Sequence, residues 1–373
     1  MTFLDGIRSA AAVAAEHAGD VDTNARFPQE SVDALKDIKA LSALADDVPF
    51  SEVAEACQIL GRSCSASAMV FAMHQIQVAC VVHQGDGWDW AKGYLEDLRR
   101  DQRLIGSVTS EIGTGGDMGR SIAAVETVQD GSCSFTKQAP TVSYGDYADD
   151  LLTTLRRAPA AEGGDQIAVL TTRDQNTLVK TGTWDPLGMR GTCSPGFTVS
   201  AAFGPEQVVP VPYTTVGAES MVPVSHLLWG HLWVGIALEA FERARKSVKA
   251  AGAVGGSVRA QRLSELHGEL AATRAQLAEA LDRYLRELAQ PGRPALHTMS
   301  AALRHNVLKT SVSTSVASVC LGALEVTGIS GFRNDSPFSI GRLLRDSLSA
   351  SLMVSNDRLH ETNAALLMVV KEG

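Results

Sequence analysis

The chain has 373 residues and carries 33 Lys and Arg against 42 Asp and Glu, a formal net charge of −9. With 45% hydrophobic residues and this mild acidity, the composition excludes the basic footprint of a nucleic-acid-binding protein and the highly charged composition of a disordered one. Aromatic residues make up only 5%, so we expect helices that pack closely on alanine and other small side chains.

Several features of the sequence predict where the protein works. No apolar run reaches the roughly 20 residues of a membrane span, so we expect no membrane span. The segment Met1–Asp5 lacks the basic and apolar regions of a signal peptide. The six cysteines include no CxxC pair, and we expect buried free thiols rather than disulfides or a zinc site. Together these features predict a soluble, cytoplasmic protein.

Residues 1–104 are predicted to be helical. Ser51 is a suitable N-cap ahead of the acidic Glu52, and apolar residues follow at helical spacing as far as Ala68. The stretch from Ala68 to Val82 is apolar on all sides, which indicates a buried helix.

Residues 105–216 are richer in Thr, Val and Gly. Short runs with strand character predict an antiparallel barrel or sandwich, and they are Leu104–Thr109, Leu151–Leu155, Ile167–Thr171 and Thr198–Ala201. No GxGxxG or GxxxxGK[ST] segment is present, so a nucleotide cofactor would have to be held without a Rossmann domain or a P-loop.

Residues 217–373 are predicted to be helical again. Apolar residues recur every three or four positions in Leu227–Val248, Leu263–Leu288 and Val307–Val326. Gly and Pro interrupt the pattern at Gln290–Pro294. Long helices with short connections are typical of a helical bundle.

Three segments concentrate glycine and polar residues. Val108–Asp117 places hydroxyl groups at the end of a strand and glycines beyond it, Trp184–Thr192 is the second segment, and Leu324–Phe332 with the later Arg345-Asp346 is the third. Hydroxyl and backbone N–H groups can bind the polar edge of a ring cofactor, and glycines let the backbone approach a phosphate closely. Alone, the first segment is equally well explained as a glycine-rich hairpin turn.

In this order the three segments resemble the T-E-P-x-A-G-S-D, K-x-G-x-R and Q-I-x-G-G-x-G-Y…R-D motifs of the acyl-CoA dehydrogenase superfamily of flavoproteins. The resemblance covers nearly the whole chain. It implies an α+β fold with an N-terminal helical domain (1–104), a central antiparallel β-domain (105–216) and a C-terminal four-helix bundle (217–373).

The resemblance also implies an activity. Members of this family desaturate an acyl thioester at its α,β bond with hydride transfer to FAD, so we expect an acyl-CoA or acyl-carrier-protein substrate. Electrons would leave through an electron-transfer flavoprotein. Because cofactor sites in this family are completed across subunits, we expect a homodimer or a homotetramer.

The resemblance assigns cofactor-binding roles to two groups of residues. Those expected to bind FAD within one chain are Ser107, Thr109, Ser110, Gly115, Gly116, Thr141, Ser143 and Asn356. Thr141 stands where the family has a shielding Trp, in a stretch that matches a family strand. Glu325 stands where a Gln reaches the diphosphate of a neighbouring subunit's FAD, and Gly328 and Ile329 would offer backbone groups there.

The catalytic base of the family is the main departure. Counting from Arg345-Asp346, Val354 occupies the position of the usual Glu, and the alternative position on an earlier helix is near Ser225 and His226. Asp357, one helical turn from Val354, is the nearest replacement base, and His226 is a second candidate. The simpler explanation of Asp357 is a carboxylate favoured by a helix N-terminus.

Two other family elements are altered. The stretch whose Arg usually contacts FAD across the dimer is replaced by Arg259–Glu265, in which Arg259 or Arg262 could substitute. The usual P-x-x-x-G-G-x-G loop is missing near Leu44–Val48, so we expect a wider substrate pocket.

Two alternatives to the desaturase remain open. One is a monooxygenase of the same fold, which takes reduced flavin from a flavin reductase and needs no α-proton base. The other is a catalytically degenerate flavoprotein subunit, which the altered phosphate contacts and the missing base would explain.

Overall fold

The computed structural model describes residues 2–128, 131–252 and 257–371. Helices α1–α5 of the N-terminal region are Phe3–Asn24, Gln29–Asp37, Phe50–Ser63, Ser65–Val82 and Asp89–Asp101. The run predicted from Ser51 to Ala68 is wrong as a single helix, because Cys64 has extended backbone and separates α3 from α4. The connection before α3 is short, and Pro49 rather than Ser51 precedes its first turn.

The central region contains two small sheets. Strands β1–β7 are Ile105–Val108, Glu126–Thr127, Cys133–Ala139, Asp150–Arg156, Gln166–Thr172, Asn176–Lys180 and Phe197–Phe203. The strand orders are β1-β4-β5 and β2-β3-β7-β6. The predicted antiparallel β-domain is confirmed with one exception, since β1 and β4 pair in parallel with Ser107 opposite Leu152.

The C-terminal region is a helical bundle, as predicted. Helices α6–α12 are Tyr213–Val216, Val222–Ala250, Val258–Leu288, Met299–Thr327, Ile329–Phe332, Gly341–Leu348 and Asn356–Leu367. A π-helical turn, Gly217–Met221, joins α6 to α7. Helix α7 lies at the centre and packs against α3, α4, α8 and α9. The α+β fold class is therefore confirmed.

Small residues allow the N-terminal helices to pack directly on the bundle. A Cβ at Gly61 of α3 would overlap the carbonyl oxygen of Leu232 in α7, and a Cβ at Gly235 would overlap that of Gln58. Both positions therefore require glycine. This close approach of two helices agrees with the packing that the low aromatic content predicts.

Three helical segments are long and apolar enough to cross a membrane by length and composition, so the sequence-based expectation of no such run is wrong. They are Ser65–Val82, Tyr213–Ala250 and Met299–Thr327. The most apolar windows of the first two are 89% buried within the protein, whereas that of the third is 50% buried. Packing around the bundle centre accounts for the apolar character of α4 and α7, whereas half of the α9 window is not buried.

The six cysteines are free and buried. Burial raises the pKa of the Cys57 and Cys80 thiols well above the usual range, which makes them poor nucleophiles. Within the described ranges, no three His, Cys, Asp or Glu residues come together as a metal site.

Candidate functional site

The end of β1 and the turn after β3 form one continuous polar surface. The Ser143 backbone N–H donates to the Ser107 carbonyl at 3.2 Å. The Ser110 hydroxyl lies 2.9 Å from both the carbonyl and the hydroxyl oxygen of Thr141. Four of the residues predicted to face a cofactor are thus brought together. The strand predicted for residues 141–144 is wrong, because the chain turns there and Tyr144 has a φ of 41°.

A buried ion pair holds the loop that follows this surface. Lys137 is fully buried, and its Nζ donates to the carbonyl oxygens of Val108, Thr109 and Thr154 at 3.2, 3.5 and 2.7 Å. Glu111 lies 3.8 Å from the same amine. Burial lowers the pKa of Lys137 to about 8. The Thr109 carbonyl is therefore already hydrogen-bonded to Lys137 within the protein.

The Glu111 carboxylate also binds the far end of the loop that contains Gly113, Gly115 and Gly116, called here the glycine loop. It accepts hydrogen bonds from the backbone N–H groups of Ile122 and Ala123 at 3.0 and 2.6 Å. Within the loop, Gly113, Gly115 and Gly116 have φ values of 92°, 63° and 83°. Only glycine adopts such backbone readily, so the loop presents its peptide groups rather than side chains.

The bundle faces this region through the start of α12. The Lys309 Nζ donates to the Val354 carbonyl at 2.8 Å and to Asn356 Oδ1 at 2.7 Å. The Asn356 amide in turn donates to Ser313 at 3.0 Å. Lys309 is fully buried, and burial lowers its pKa to about 8. Sequence reasoning missed this residue, although a single Lys within the apolar run of α9 is a detectable signal.

Val354 has strained backbone. Its φ is 48°, a left-handed conformation that β-branched residues rarely adopt. Residue 354, which counting from Arg345-Asp346 matches to the family's catalytic Glu, is therefore held in an unfavourable conformation, and the Lys309 amine binds its carbonyl. Such strain persists only where surrounding contacts impose it.

The two candidate bases have different surroundings. His226 is 3% exposed, and burial lowers its pKa to about 3, so its ring is neutral at pH 7. Its Nδ1 lies 3.0 Å from the His305 carbonyl; because a carbonyl only accepts, Nδ1 carries the proton and Nε2 is the acceptor. Asp357 is exposed in the first turn of α12 and, among the described residues, has no hydrogen-bond partner.

Comparison with known proteins finds solved structures of the same fold. No protein-family model and no curated protein sequence matches the chain. The FMN-bound TdsC of Paenibacillus sp. A11-2, a dibenzothiophene monooxygenase, matches with a TM-score of 0.83 and 19% identity over 98% of this chain and 96% of that one. The protein has the acyl-CoA dehydrogenase fold.

Two further structures show the same fold. The methanesulfinate monooxygenase MsuC of Pseudomonas fluorescens has a TM-score of 0.84 and 18% identity over 100% of this chain and 98% of that one. A nitrososynthase of Micromonospora carbonacea var. africana has a TM-score of 0.81 and 17% identity over 98% and 96% of the two chains.

In this acyl-CoA dehydrogenase fold, the second sequence motif (Trp184–Thr192) contacts Arg345-Asp346 of the third. The Asp346 carboxylate accepts from the Met189 N–H at 2.7 Å, and burial raises its pKa. Arg345 donates to the Leu187 carbonyl at 2.8 Å and pairs with Asp22 of α1. Arg345-Asp346 therefore joins α1, the β-domain and α11, a structural role.

The residues predicted to reach a neighbouring subunit's cofactor lie apart from the rest. Glu325 is near the end of α9, 12 residues after Ser313, which is roughly 18 Å along the helix. Its carboxylate pairs with Arg262 at 3.2 Å on the surface. The structure therefore places Glu325, Gly328 and Ile329 outside the cluster around Lys309.

A second polar cluster lies beside the π-helical turn and was also missed. Glu219 accepts from Gln84 at 3.0 Å and from His297 at 2.8 Å, and it pairs with Arg293. Burial alone would raise the pKa of Glu219, but these hydrogen bonds outweigh it and hold the pKa below its usual value. Its partners balance the negative charge of this buried carboxylate and keep it ionised, so it is a poor proton acceptor.

A cavity adjoins the end of the glycine loop, where Glu111 lines it. It measures about 660 Å³ and opens on the β2-β3-β7-β6 sheet, where Thr136, Gln138, Thr177 and Ser200 line it. None of the predicted cofactor residues contributes to it.

Proposed function

We propose that the protein is a flavin-dependent monooxygenase that receives reduced flavin from a separate flavin reductase. The observation that carries this proposal is at residue 354, where Val stands in place of a base and the Lys309 amine binds the backbone. A monooxygenase needs no carboxylate to remove an α-proton. The FMN bound to TdsC and the monooxygenase activities named for TdsC and MsuC support the same reading.

The residues at the site fit a flavin by their chemistry. Ser107, Ser110, Thr141 and Ser143 supply hydroxyl and peptide groups for the polar edge of the ring, and the glycine loop supplies peptide groups for a phosphate. Reduced flavin supplies two electrons, so that one atom of dioxygen enters the substrate and the other leaves as water.

This chain's own residues would control protons and water at the site. The Lys309 Nζ, whose pKa burial lowers to about 8, can hold or release a proton beside the Val354 carbonyl near neutral pH. His226 remains neutral and offers Nε2 as an acceptor. The buried ring of Trp229, whose centroid lies 6.1 Å from that of the His226 ring, limits the access of water to His226.

A second candidate is the FAD-dependent desaturation of an acyl thioester on CoA or a carrier protein, with electrons passed to an electron-transfer flavoprotein. The exposed carboxylate of Asp357, unpartnered among the described residues, favours it. Asp357 would act as the base in place of the missing Glu.

Two assays on flavin-loaded protein separate these functions. With a flavin reductase, isotopically labelled dioxygen and a panel of organic sulfides, sulfinates and amines, we expect one labelled oxygen atom in the product. Without oxygen, a panel of acyl-CoA thioesters should leave the visible absorption of oxidised flavin unchanged. Thioester-dependent bleaching that Asp357→Asn abolishes would establish the desaturase instead.

A further inference from the structure

A cavity of about 530 Å³ lies between the N-terminal helices and the bundle. Helices α1, α3, α7 and α11 each contribute one arginine to its lining, and these are Arg8, Arg62, Arg243 and Arg342. Among the described residues, the one carboxylate that lines the cavity is that of Glu239. A chain with a net charge of −9 thus concentrates positive charge at one cleft, and such a cleft attracts anions.

Two of these arginines are already paired within the protein. Arg8 pairs with Asp5 at 3.2 Å. Arg243 pairs with Glu239 at 2.9 Å and also donates to the Ser339 carbonyl at 2.7 Å. The carboxylate that lines the cavity is therefore committed to Arg243.

The other two arginines, Arg62 and Arg342, have no ion-pair partner within residues 2–128, 131–252 and 257–371. In these ranges the Arg62 side chain makes no hydrogen bond, and Arg342 donates only to the Ser63 carbonyl at 3.4 Å. Each acts at longer range on one carboxylate, Arg62 on Glu242 and Arg342 on Asp346. However, Glu242 pairs with another arginine and Asp346 accepts from a backbone N–H. Two guanidinium groups are thus left to bind a ligand.

Close helix packing fixes the position of Arg62. It follows Gly61 of α3, whose Cβ would overlap the Leu232 carbonyl of α7. A Cβ at Gly235 of α7 would in turn lie 3.1 Å from the backbone N of Arg62. Arg243 follows Gly235 by about two turns of the same helix. The walls of the cavity are therefore held in place before a ligand arrives, which lowers the entropic cost of binding.

The side of the cavity formed by α1 is apolar. Ala11, Ala12 and Ala15 line it and follow Arg8 at intervals of three, four and seven residues, which places all four on one face of the helix. Ile59 of α3 adds a larger apolar side chain. A ligand that fills this cavity therefore has an apolar part beside its negative charge.

We infer that this cavity binds an organic phosphate monoester, with the phosphate at Arg62 and Arg342 and the organic part on the alanines of α1. A phosphate monoester carries about 1.5 to 2 negative charges at neutral pH, which matches two guanidinium groups better than a singly charged carboxylate does. Each planar guanidinium can donate two parallel hydrogen bonds to phosphate oxygens. No residue proposed to bind flavin lines the cavity, so the inference goes beyond the proposed function and does not depend on it.

Isothermal titration calorimetry of the full chain with phenyl phosphate tests this inference. Inorganic phosphate lacks the organic part and benzoate lacks the second charge, and we expect phenyl phosphate to bind more tightly than either. Arg62→Gln should weaken phenyl phosphate binding about fivefold or more. Arg62→Lys keeps the charge but not the planar donors, so it should lose less. Arg283→Gln is the matched control, since Arg283 pairs with Glu279 on α8 outside the cavity, and it should leave binding unchanged.

A second variant tests the organic part of the ligand separately. Ala15 is exposed on α1, so Ala15→Leu adds bulk to the cavity without disturbing the core and keeps every charge. We expect this variant to bind phenyl phosphate more weakly than the wild type does and to bind inorganic phosphate as the wild type does.

Four results would each overturn the inference. A wild type that binds none of the three ligands has no such site. Benzoate binding as tight as that of phenyl phosphate excludes the phosphate class. Unchanged affinity of Arg62→Gln for phenyl phosphate removes the proposed phosphate partner. Equal losses in Arg62→Gln and Arg283→Gln show general attraction to surface charge rather than a site.

Discussion

Val354 combines a functional position with an unfavourable conformation. Its left-handed backbone, with φ of 48°, costs a β-branched residue about 1–2 kcal/mol relative to ordinary backbone. The Lys309 amine and the start of α12 hold it there. The site therefore keeps a strained residue where a base would otherwise stand, which agrees with a reaction that does not use that base.

Substitution at this position tests the strain. At ordinary sites alanine is more stable than glycine, but we expect Val354→Gly to be at least as stable as Val354→Ala, with a difference of about 0.5–1 kcal/mol. Both variants remove the two Cγ methyl groups of Val354 and differ only in Cβ, so the comparison reports mainly on the backbone. Chemical denaturation measures it, and a clear advantage for alanine would show that the backbone is relaxed.

Lys309 makes the stability depend on pH. Its folded-state pKa of about 8 lies below the ordinary lysine value of 10.5, so the folded protein binds fewer protons than the unfolded chain between these values. Stability contributed by this residue is therefore present at high pH and is lost as pH falls toward 8.

Replacing Lys309 tests this effect. We expect the free energy of unfolding of the wild type to rise between pH 8 and about pH 9.5, and that of Lys309→Met to rise less steeply, by up to about 1.4 kcal/mol per pH unit. Urea unfolding over this range measures both slopes. Parallel slopes would mean that Lys309 titrates as an exposed amine.

Some residues of the site could be predicted from the sequence, and others could not. The position of Val354 follows from counting onward from Arg345-Asp346, and the hydroxyls of Ser110 and Thr141 are grouped as a strand end predicts. Lys309 and Glu219 belong to no motif, and their importance comes from burial and partners on distant elements. Such partners become visible only when the chain is folded.

At the scale of elements, one close contact joins the β-domain to the bundle. A Cβ at Gly188 would overlap the Arg345 carbonyl of α11, next to the hydrogen bond between Met189 and Asp346. The second motif, in the β-domain, and Arg345-Asp346 of the third, in the bundle, therefore form one contact between the two regions. Sequence alone predicts each motif but not their contact, because 157 residues separate Met189 from Asp346.

This contact predicts that a small substitution strongly lowers the stability of the protein. Gly188→Ala should destabilise the protein by about 1–3 kcal/mol or more, because backbone atoms of α11 would have to move. Gly182→Ala is the matched control, since nothing lies within 4 Å of its Cβ position, and we expect a change within about 0.5 kcal/mol. Thermal unfolding measures both, and equal effects would contradict the close contact.

At the scale of the whole molecule, an apolar surface lies at the C-terminal side. Ile329 and Phe332 of α10 are 74% and 71% exposed. Helix α9, which precedes them, is apolar yet only half buried over its most apolar window. Exposed apolar area of this kind marks an interaction surface, and we propose a second copy of the chain as its partner.

Introducing a charge at this surface tests self-association. We expect the wild type to be a dimer or a larger homo-oligomer, and Phe332→Glu to dissociate toward monomer. Light scattering coupled to size exclusion measures the mass, and Val179→Glu in β6 is the control, since Val179 is 58% exposed on a different surface. A monomeric wild type would refute the second copy as partner.

The location of the flavin is the central claim, and hydrogen–deuterium exchange with and without FMN tests it most directly. We predict protection in residues 107–116, 141–144 and 354–358, because these segments form the polar surface, the glycine loop and the start of α12. Protection confined to the strands around Thr136, Thr177 and Ser200, which line the cavity of about 660 Å³, would place the flavin elsewhere and contradict this location.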